Sequence, residues 1–253
     1  MEKVSAILTA GGIGKRFGGD KQVAELFGTP VACISAKKLL ENECIAELVI
    51  VTKPERELVF KKYLDMLGTN GKRIVYVPDG PERYDSVHNG MMMVSPDYNI
   101  VLVHDGARPL VTQEMITSAV TAVTSSKKIR ASFVGTPVVD TLRRMNREGI
   151  GGTDENGIIE TVDRSNLYQV QTPQVVLRYD WIRSFDYIKE NGLKVTDDIQ
   201  MIEIFTNTKA SGLYPRFLVK PIVMEGSRFN IKITVPEDLK LAEAIIAYGL
   251  ANI

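Results

Sequence analysis

The most constraining feature of this chain is the regular alternation of short, β-branched apolar runs with amphipathic stretches. Residues 4–8, 48–51, 74–77 and 100–103 are apolar runs of strand length. Residues 31–40, 55–67, 86–93 and 113–124 carry apolar side chains at helical spacing. Strand–helix–strand order is satisfied by right-handed βαβ units, so the pattern predicts a largely parallel sheet flanked by helices. At 253 residues, with no repeat or linker in sight, the chain reads as one α/β domain.

The pattern changes after residue 130. Residues 131–134, 138–144, 158–162 and 167–170 read as extended, with a Gly- and Asn-rich stretch between them and Asn156-Gly157 as a tight-turn candidate. Residues 138–170 therefore read as a β-excursion projecting from the sheet. Helices are predicted again at 179–190 and 198–206, then a strand at 217–223 and a last helix at 236–248. Pro236 with Glu237 and Asp238 suits that helix start.

Charge excludes one class of function. Lys and Arg total 31 and Asp and Glu total 31, so the chain lacks the basic field of a non-specific nucleic-acid binder. Any anionic ligand must be held by local clusters. Cys33 and Cys44 sit in apolar contexts and read as buried free thiols. No apolar run reaches the roughly 20 residues of a membrane span, and the N-terminus lacks a secretory pattern. The expectation is a cytoplasmic protein.

Three segments carry chemistry. The first runs from Leu8 to Lys21, where a strand enters a loop with Gly11, Gly12, Gly14, Gly18 and Gly19. Such a loop allows close backbone approach and makes an anion nest. Lys15, Arg16 and Lys21 add positive charge, a combination suited to a triphosphate. The segment fails both the Walker pattern and the dinucleotide fingerprint, and a generic Gly-rich turn is the plain alternative. In the second, the strand at 100–103 runs straight into His104-Asp105-Gly106-Ala107-Arg108-Pro109. Ligands of open α/β sheets bind beyond strand carboxyl ends. Asp105 there can position a metal–phosphate complex or a hydroxyl, and Arg108 can fork onto a phosphate. The alternative is a structural Asp105–Arg108 pair. In the third, Asn230-Ile231-Lys232-Ile233-Thr234, alternation turns Lys232 away from both Ile, toward solvent or toward a polar site.

Other segments are weaker. Residues 79–86 form a turn into a helix capped by Asp85 or Ser86, and Thr196-Asp197-Asp198 reads as another helix start. His88 and His104 belong to no Cys/His cluster, so no zinc site is read.

Together these segments resemble the 2-C-methyl-D-erythritol 4-phosphate cytidylyltransferase family, nearly end to end. The resemblance rests on the Gly-rich loop with Arg16 and Lys21, residues 82–87, residues 104–109, Val162-Asp163-Arg164, Gln171-Thr172-Pro173-Gln174, Thr196-Asp197-Asp198 and residues 230–234. It implies a Rossmann-like nucleotidyltransferase fold and transfer of CMP from CTP to a polyol phosphate, with Mg²⁺, in isoprenoid precursor synthesis. It also implies a homodimer in which residues 138–170 form an arm over the neighbouring site. Arg16, Lys21 and Lys232 would surround the reacting phosphates. Ala10, Gly11, Gly12 and Gly14, with Gly80, Arg83 and Ser86, would hold the nucleotide. Asp105, Arg108 and Thr172 would face the sugar phosphate, with Asp105 also touching the metal. Thr141 and Arg164 would arrive from the partner's arm.

Some residues depart from the pattern. The loop between Arg16 and Lys21 is two residues shorter than in many relatives, and its Gly18-Gly19-Asp20-Lys21 ending is similar to the molybdopterin nucleotidyltransferases. Pro81 has no N–H to offer a base. The ribitol 5-phosphate cytidylyltransferases share much of the pattern and give the alternative acceptor. A non-catalytic nucleotide-binding module on the same fold is the alternative from another class.

Overall fold

The computed structural model of the chain describes residues 2–12, 14–145, 159–208 and 221–251. Strand β1 (Val4–Ala10) is followed by a small hairpin, β2 (Glu25–Leu26) and β3 (Thr29–Pro30), and by helix α1 (Val31–Glu41). Then come β4 (Ile45–Thr52), α2 (Pro54–Leu67), β5 (Arg73–Pro78), α3 (Arg83–Met93), β6 (Ile100–Asp105) and α4 (Gln113–Thr124). This half matches the alternation read from the sequence.

Why these runs become central strands is visible in their burial. Leu48 and Ile50 pack on one face of the sheet while Val49 and Val51 pack on the other. The same split holds for Leu102 against Val101 and Val103. A strand covered on both faces needs apolar side chains at every position, which is the mark of a parallel strand between helix layers. One layer places Leu39, Phe60, Leu64, Ile116 and Val120 against the sheet. The other is built from α3, α5 (Arg178–Glu190) and α6 (Asp198–Thr206), through Val87, Met91, Trp181 and Ile202.

The second half contains β7 (Ala131–Pro137), β8 (Leu142–Met145), β9 (Ile159–Val162), β10 (Tyr168–Leu177) and β11 (Ile222–Glu225), and closes on α7 (Pro236–Ala247). The main sheet has the order β11-β7-β10-β6-β1-β4-β5, with β10 antiparallel to both neighbours. Strand order reverses at β1: the path leads outward through β4 and β5, then returns to β6 on the other side, with β1 parallel to both neighbours. The crevice at the ends of β1 and β6 is therefore a topological switch point, where α/β folds bind ligands.

Four expectations are corrected. The helix expected at 86–93 begins at Arg83, after Glu82. The Asp85 carboxylate accepts the Glu82 N–H at 3.3 Å, and Ser86 Oγ accepts the Gly80 N–H at 2.9 Å, so both side chains secure the turn from inside the helix. The strand expected at 138–144 starts only at Leu142; before it the Val138 N–H bonds the Leu167 carbonyl at 2.9 Å, one step further in the β7–β10 register. The extended piece expected at 167–170 continues to Leu177 in the middle of the sheet. The last expected strand is seen at 222–225, and residues 217–220 lie outside the described residues. So does the tight turn expected at Asn156-Gly157. Within the expected excursion, β8 and β9 pair antiparallel as a sheet of two strands, separate from the main one.

Candidate active site

At the end of β1 the chain enters the Gly-rich loop. Gly14 sits at φ 62°, and a side chain there would meet the Gly19 carbonyl at 2.5 Å. Gly11 lies so close to Asp79 that an added Cβ would fall 2.2 Å from the Asp79 Cβ. Glycine is required at both places, by backbone conformation at the first and by close approach at both. The loop closes on Lys21, whose ammonium donates to the Ile233 carbonyl at 3.0 Å.

Asp105 ends β6 and is the hub of the site. Its Oδ2 lies 2.8 Å from Lys232 Nζ and 3.4 Å from Arg108 Nε, and its Oδ1 lies 3.7 Å from Arg83 Nε. Burial works against the charged carboxylate, but Lys232, Arg83 and Arg108 outweigh it and hold its pKa well below the usual range. Asp105 is thus an anion at any working pH, and it pre-assembles three cations. Around them is a cleft of about 350 Å³, lined among others by Gly11, Gly12, Gly80 and Ser86 with Lys21, Arg83 and Lys232. A second, wider cleft of about 870 Å³ adjoins it and shares Lys232; Arg108 faces this one.

Two of the three cations are also tied from behind. Arg83 reaches Asp198 at 2.7 Å, and the other Asp198 oxygen accepts the Trp181 indole N–H at 2.8 Å. Burial disfavours the Arg83 charge, but Asp198 and Asp105 more than compensate and raise its pKa. Arg108 donates to the Asn230 carbonyl at 2.8 Å. Burial and then the neighbouring Lys232 charge lower the pKa of Lys21, with Asp105 opposing them. Lys21 is therefore a cation held close to other cations, a costly arrangement unless polyanionic charge is due to arrive.

A buried chain of hydrogen bonds fixes Asp105 itself. Its N–H donates to Thr172 Oγ1 at 3.1 Å, the Thr172 hydroxyl meets His104 Nδ1 at 2.9 Å, and His104 Nε2 meets the Arg108 carbonyl at 3.1 Å. A carbonyl can only accept, so the His104 proton sits on Nε2 and Nδ1 accepts from Thr172. Burial lowers the His104 pKa to about 4, against the opposing pull of Asp105, so the ring is neutral near pH 7. Thr172 was expected to face the sugar phosphate. It is buried instead, with its hydroxyl committed to Asp105 and His104.

The structure thus brings together Gly11, Gly12, Lys21, Gly80, Arg83, Ser86, Asp105, Arg108 and Lys232 from segments far apart in sequence. Lys232 resolves in favour of the polar site, and the Asp105–Arg108 pair exists within a larger cluster. Ala10 is buried at the strand end; Gly14 packs beside the Lys21 stem. Arg16 is exposed, near enough to lower the Lys21 pKa. Thr141 and Arg164 are exposed on or beside the arm and line neither cleft. Sequence reasoning missed two residues. Asp197 caps α6 as expected, but Asp198 turns inward to Arg83. Arg56 is buried under the Gly-rich loop; its place on an otherwise apolar stripe with Phe60 and Leu64 was the available signal.

A Gly-rich loop and a fixed set of cations, converging on the switch point of a mostly parallel sheet, define a nucleotidyltransferase-type α/β enzyme. Residues 4–248 match the family model described as IspD: 2-C-methyl-D-erythritol 4-phosphate cytidylyltransferase, and the chain belongs to that family. It is 36% identical over 250 residues to the 2-C-methyl-D-erythritol 4-phosphate cytidylyltransferase of Alkaliphilus oremlandii, covering 97% of this chain and 96% of that protein. The chloroplastic enzyme of that name from Oryza sativa is 33% identical, over 96% of this chain and 74% of its own length. The fold is also similar to the 4-diphosphocytidyl-2C-methyl-D-erythritol synthase of Anaerococcus prevotii, with a TM-score of 0.79 at 26% identity and coverage of 97% and 96%.

Proposed function

We propose that this chain transfers CMP from CTP to 2-C-methyl-D-erythritol 4-phosphate and releases pyrophosphate, a step of isoprenoid precursor synthesis. The observation that carries the reading is the Asp105 hub, which holds Lys232, Arg83 and Arg108 around one cleft edge beside Lys21. A phosphate oxygen of the acceptor forms a bond to the α-phosphorus of CTP, and the bond from that phosphorus to the bridging oxygen breaks. The electron pair leaves with pyrophosphate. The acceptor phosphate is ionised near neutral pH, so no strong base is required. What the protein must supply is charge and position.

Lys21, Lys232 and Arg16 supply that charge at the triphosphate. Held in advance, Lys21 and Lys232 reorganise little as negative charge builds on the reacting phosphate. The backbone at Ala10, Gly11, Gly12 and Gly14 and the turn at Gly80, Arg83 and Ser86 receive the nucleotide. Arg108, in the wider cleft, faces the acceptor. Thr172 acts through Asp105, which it orients.

A magnesium ion suits this site. The ion is proposed to ride mainly on phosphate oxygens rather than in a protein cage. Asp105, ionised and at the cleft edge, is proposed as a helper to those phosphate oxygens. Such an ion would supply further positive charge at the phosphates.

The arm is proposed to reach a second copy of the chain and deliver Thr141 and Arg164 to its acceptor site, making a homodimer. The exposed apolar side chain of Leu142 on β8 supports this reading; Val139, Tyr168 and Val170, also exposed, line the wider cleft of their own chain. No described helix is long and apolar enough to cross a membrane. With Cys33 and Cys44 both free and buried, a cytoplasmic site of action is consistent. The test is pyrophosphate release from CTP with 2-C-methyl-D-erythritol 4-phosphate or ribitol 5-phosphate as acceptor. Turnover with the first above the second is expected; ribitol phosphate as the better acceptor reassigns the substrate, and no release with either contradicts the reading.

A further inference from the structure

Helix α2 packs through Arg56, Phe60 and Leu64, one residue per turn along a single stripe. Two of these are apolar, as a buried stripe requires. The third is an arginine only 4% exposed. A buried guanidinium is tolerated only when its donors are satisfied. Here every partner belongs to the Gly-rich loop or the strand end that feeds it. NH1 donates to the Ala10 carbonyl at 2.6 Å and the Gly11 carbonyl at 3.0 Å, and NH2 to the Gly12 carbonyl at 3.3 Å. Nε pairs with the Asp20 carboxylate.

The direction of those bonds matters. In a trans peptide unit the carbonyl and the following N–H point opposite ways. Drawing the Ala10 and Gly11 carbonyls toward Arg56 therefore turns the N–H groups of Gly11 and Gly12 away from it. Gly11 and Gly12 line the narrower cleft. A flipped peptide would present a carbonyl oxygen to a phosphate, a repulsive contact, and the guanidinium opposes that flip. Asp20 extends the link to the far end of the loop. Its Oδ1 accepts the Gln22 N–H at 3.1 Å and its carbonyl accepts the Ala24 N–H at 3.0 Å, both bonds spanning Lys21. One side chain outside the cleft thus joins the start of the loop to its end.

We infer that Arg56 is a positioning residue for the nucleotide triphosphate: it sets the peptide orientations of the Gly-rich loop and, through Asp20, the placement of Lys21. The inference rests on the CTP-dependent reaction proposed above, and it concerns the donor nucleotide alone. The acceptor side, around Arg108 and Asn230, has no contact with Arg56 among those described. Lysine cannot replace arginine here, because a single ammonium cannot span four acceptors set out as a fork.

The test compares the parent chain with Arg56→Lys, Arg56→Ala and Asp20→Asn. CTP affinity is measured by titration calorimetry, the acceptor KM by steady-state kinetics, and folding by thermal melting. Arg56→Lys should weaken CTP binding about ten-fold or more while leaving the acceptor KM within about two-fold. Asp20→Asn, at a partly exposed position, should weaken CTP binding less and in the same selective way. Guanidinium ion at a sub-denaturing concentration should restore part of the CTP affinity of Arg56→Ala, and an alkylammonium ion should not. If truncation unfolds the chain, Arg56→Lys and Asp20→Asn decide. CTP affinity unchanged in both, or equal weakening of both substrates, would overturn the inference. A parent chain that binds no CTP contradicts the proposed function itself, and the inference falls with it.

Discussion

The cleft and the arm are built from the same kinds of residue and use them in opposite ways. At the cleft, Arg83 is held between Asp198 and Asp105, and Lys232 and Arg108 share the second Asp105 oxygen. On the arm, Arg144 pairs with Glu160 at 3.0 Å, but the two side chains are 63% and 59% exposed. Arg143 reaches Thr161 in the same exposed setting. Partners within one chain hold the charged side chains of the first region. The second presents its charges and its apolar residues outward. The contrast places the convergent, braced cations at the cleft, where the proposed chemistry needs them; that the arm acts on a second copy is the proposal made above.

The contrast can be broken experimentally. The largest effect is expected at the reacting phosphates. Lys21→Ala or Lys232→Ala should lower kcat by about 10²–10³-fold while raising the KM for CTP far less, since fixed cations act chiefly on the transition state. Steady-state kinetics over a CTP series reads this, and a normal kcat in Lys232→Ala would remove that residue from the reaction.

The next effect concerns pH. His104 is neutral when folded, with its pKa lowered from 6.5 to about 4 by burial. Between those values the unfolded chain binds more protons than the folded one, so stability falls as pH drops through that window. The contribution lost is on the order of 3 kcal/mol at most. Denaturant melts between pH 7 and 4.5 should show this slope in the parent and lose most of it in His104→Gln. The same slope in both would place its origin elsewhere.

The comparison is sharpest in the stability of the two ion pairs. Asp198→Asn leaves Arg83 with Asp105 alone, at 3.7 Å, and deprives the Trp181 indole of a charged acceptor. A loss of about 2–3 kcal/mol is expected, below the figure for a fully buried pair because Arg83 keeps 29% exposure. Arg144→Ala on the arm should change stability by less than about 1 kcal/mol. The single tryptophan, Trp181, reports unfolding in both variants. Equal losses would erase the distinction between the regions.

How much of this was legible in the sequence follows from where the information lies. The β1, β4 and β6 runs are apolar at nearly every position because they are covered on both faces, so local pattern reveals them. Lys232 was legible as a residue turned away from Ile231 and Ile233, but not as the partner of Asp105. The antiparallel β10 was missed beyond residue 170. Its register shifts between Val170 and Gln174, where Pro173 has no N–H to give, and its polar Gln171-Thr172 step does not read as a central strand. Arg56 and Asp198 were hidden for another reason. Their partners lie 46 and 115 residues away, at Ala10 and Arg83, and no local periodicity encodes such a contact. Family resemblance gathered the cleft residues by name, but it does not supply the bracing behind them.

The measurement that bears most directly on the whole account mixes two defective chains. If the arm of one copy completes the cleft of another, an Arg164→Ala subunit and a Lys232→Ala subunit repair each other in the mixed dimer. One site collects both defects and the other collects neither. With random pairing at equal amounts, about a quarter of the parent pyrophosphate release should return, provided each variant alone is nearly inactive. No recovery in preparations shown to contain mixed dimers would contradict the account, because Arg164 would then serve its own chain or no site at all.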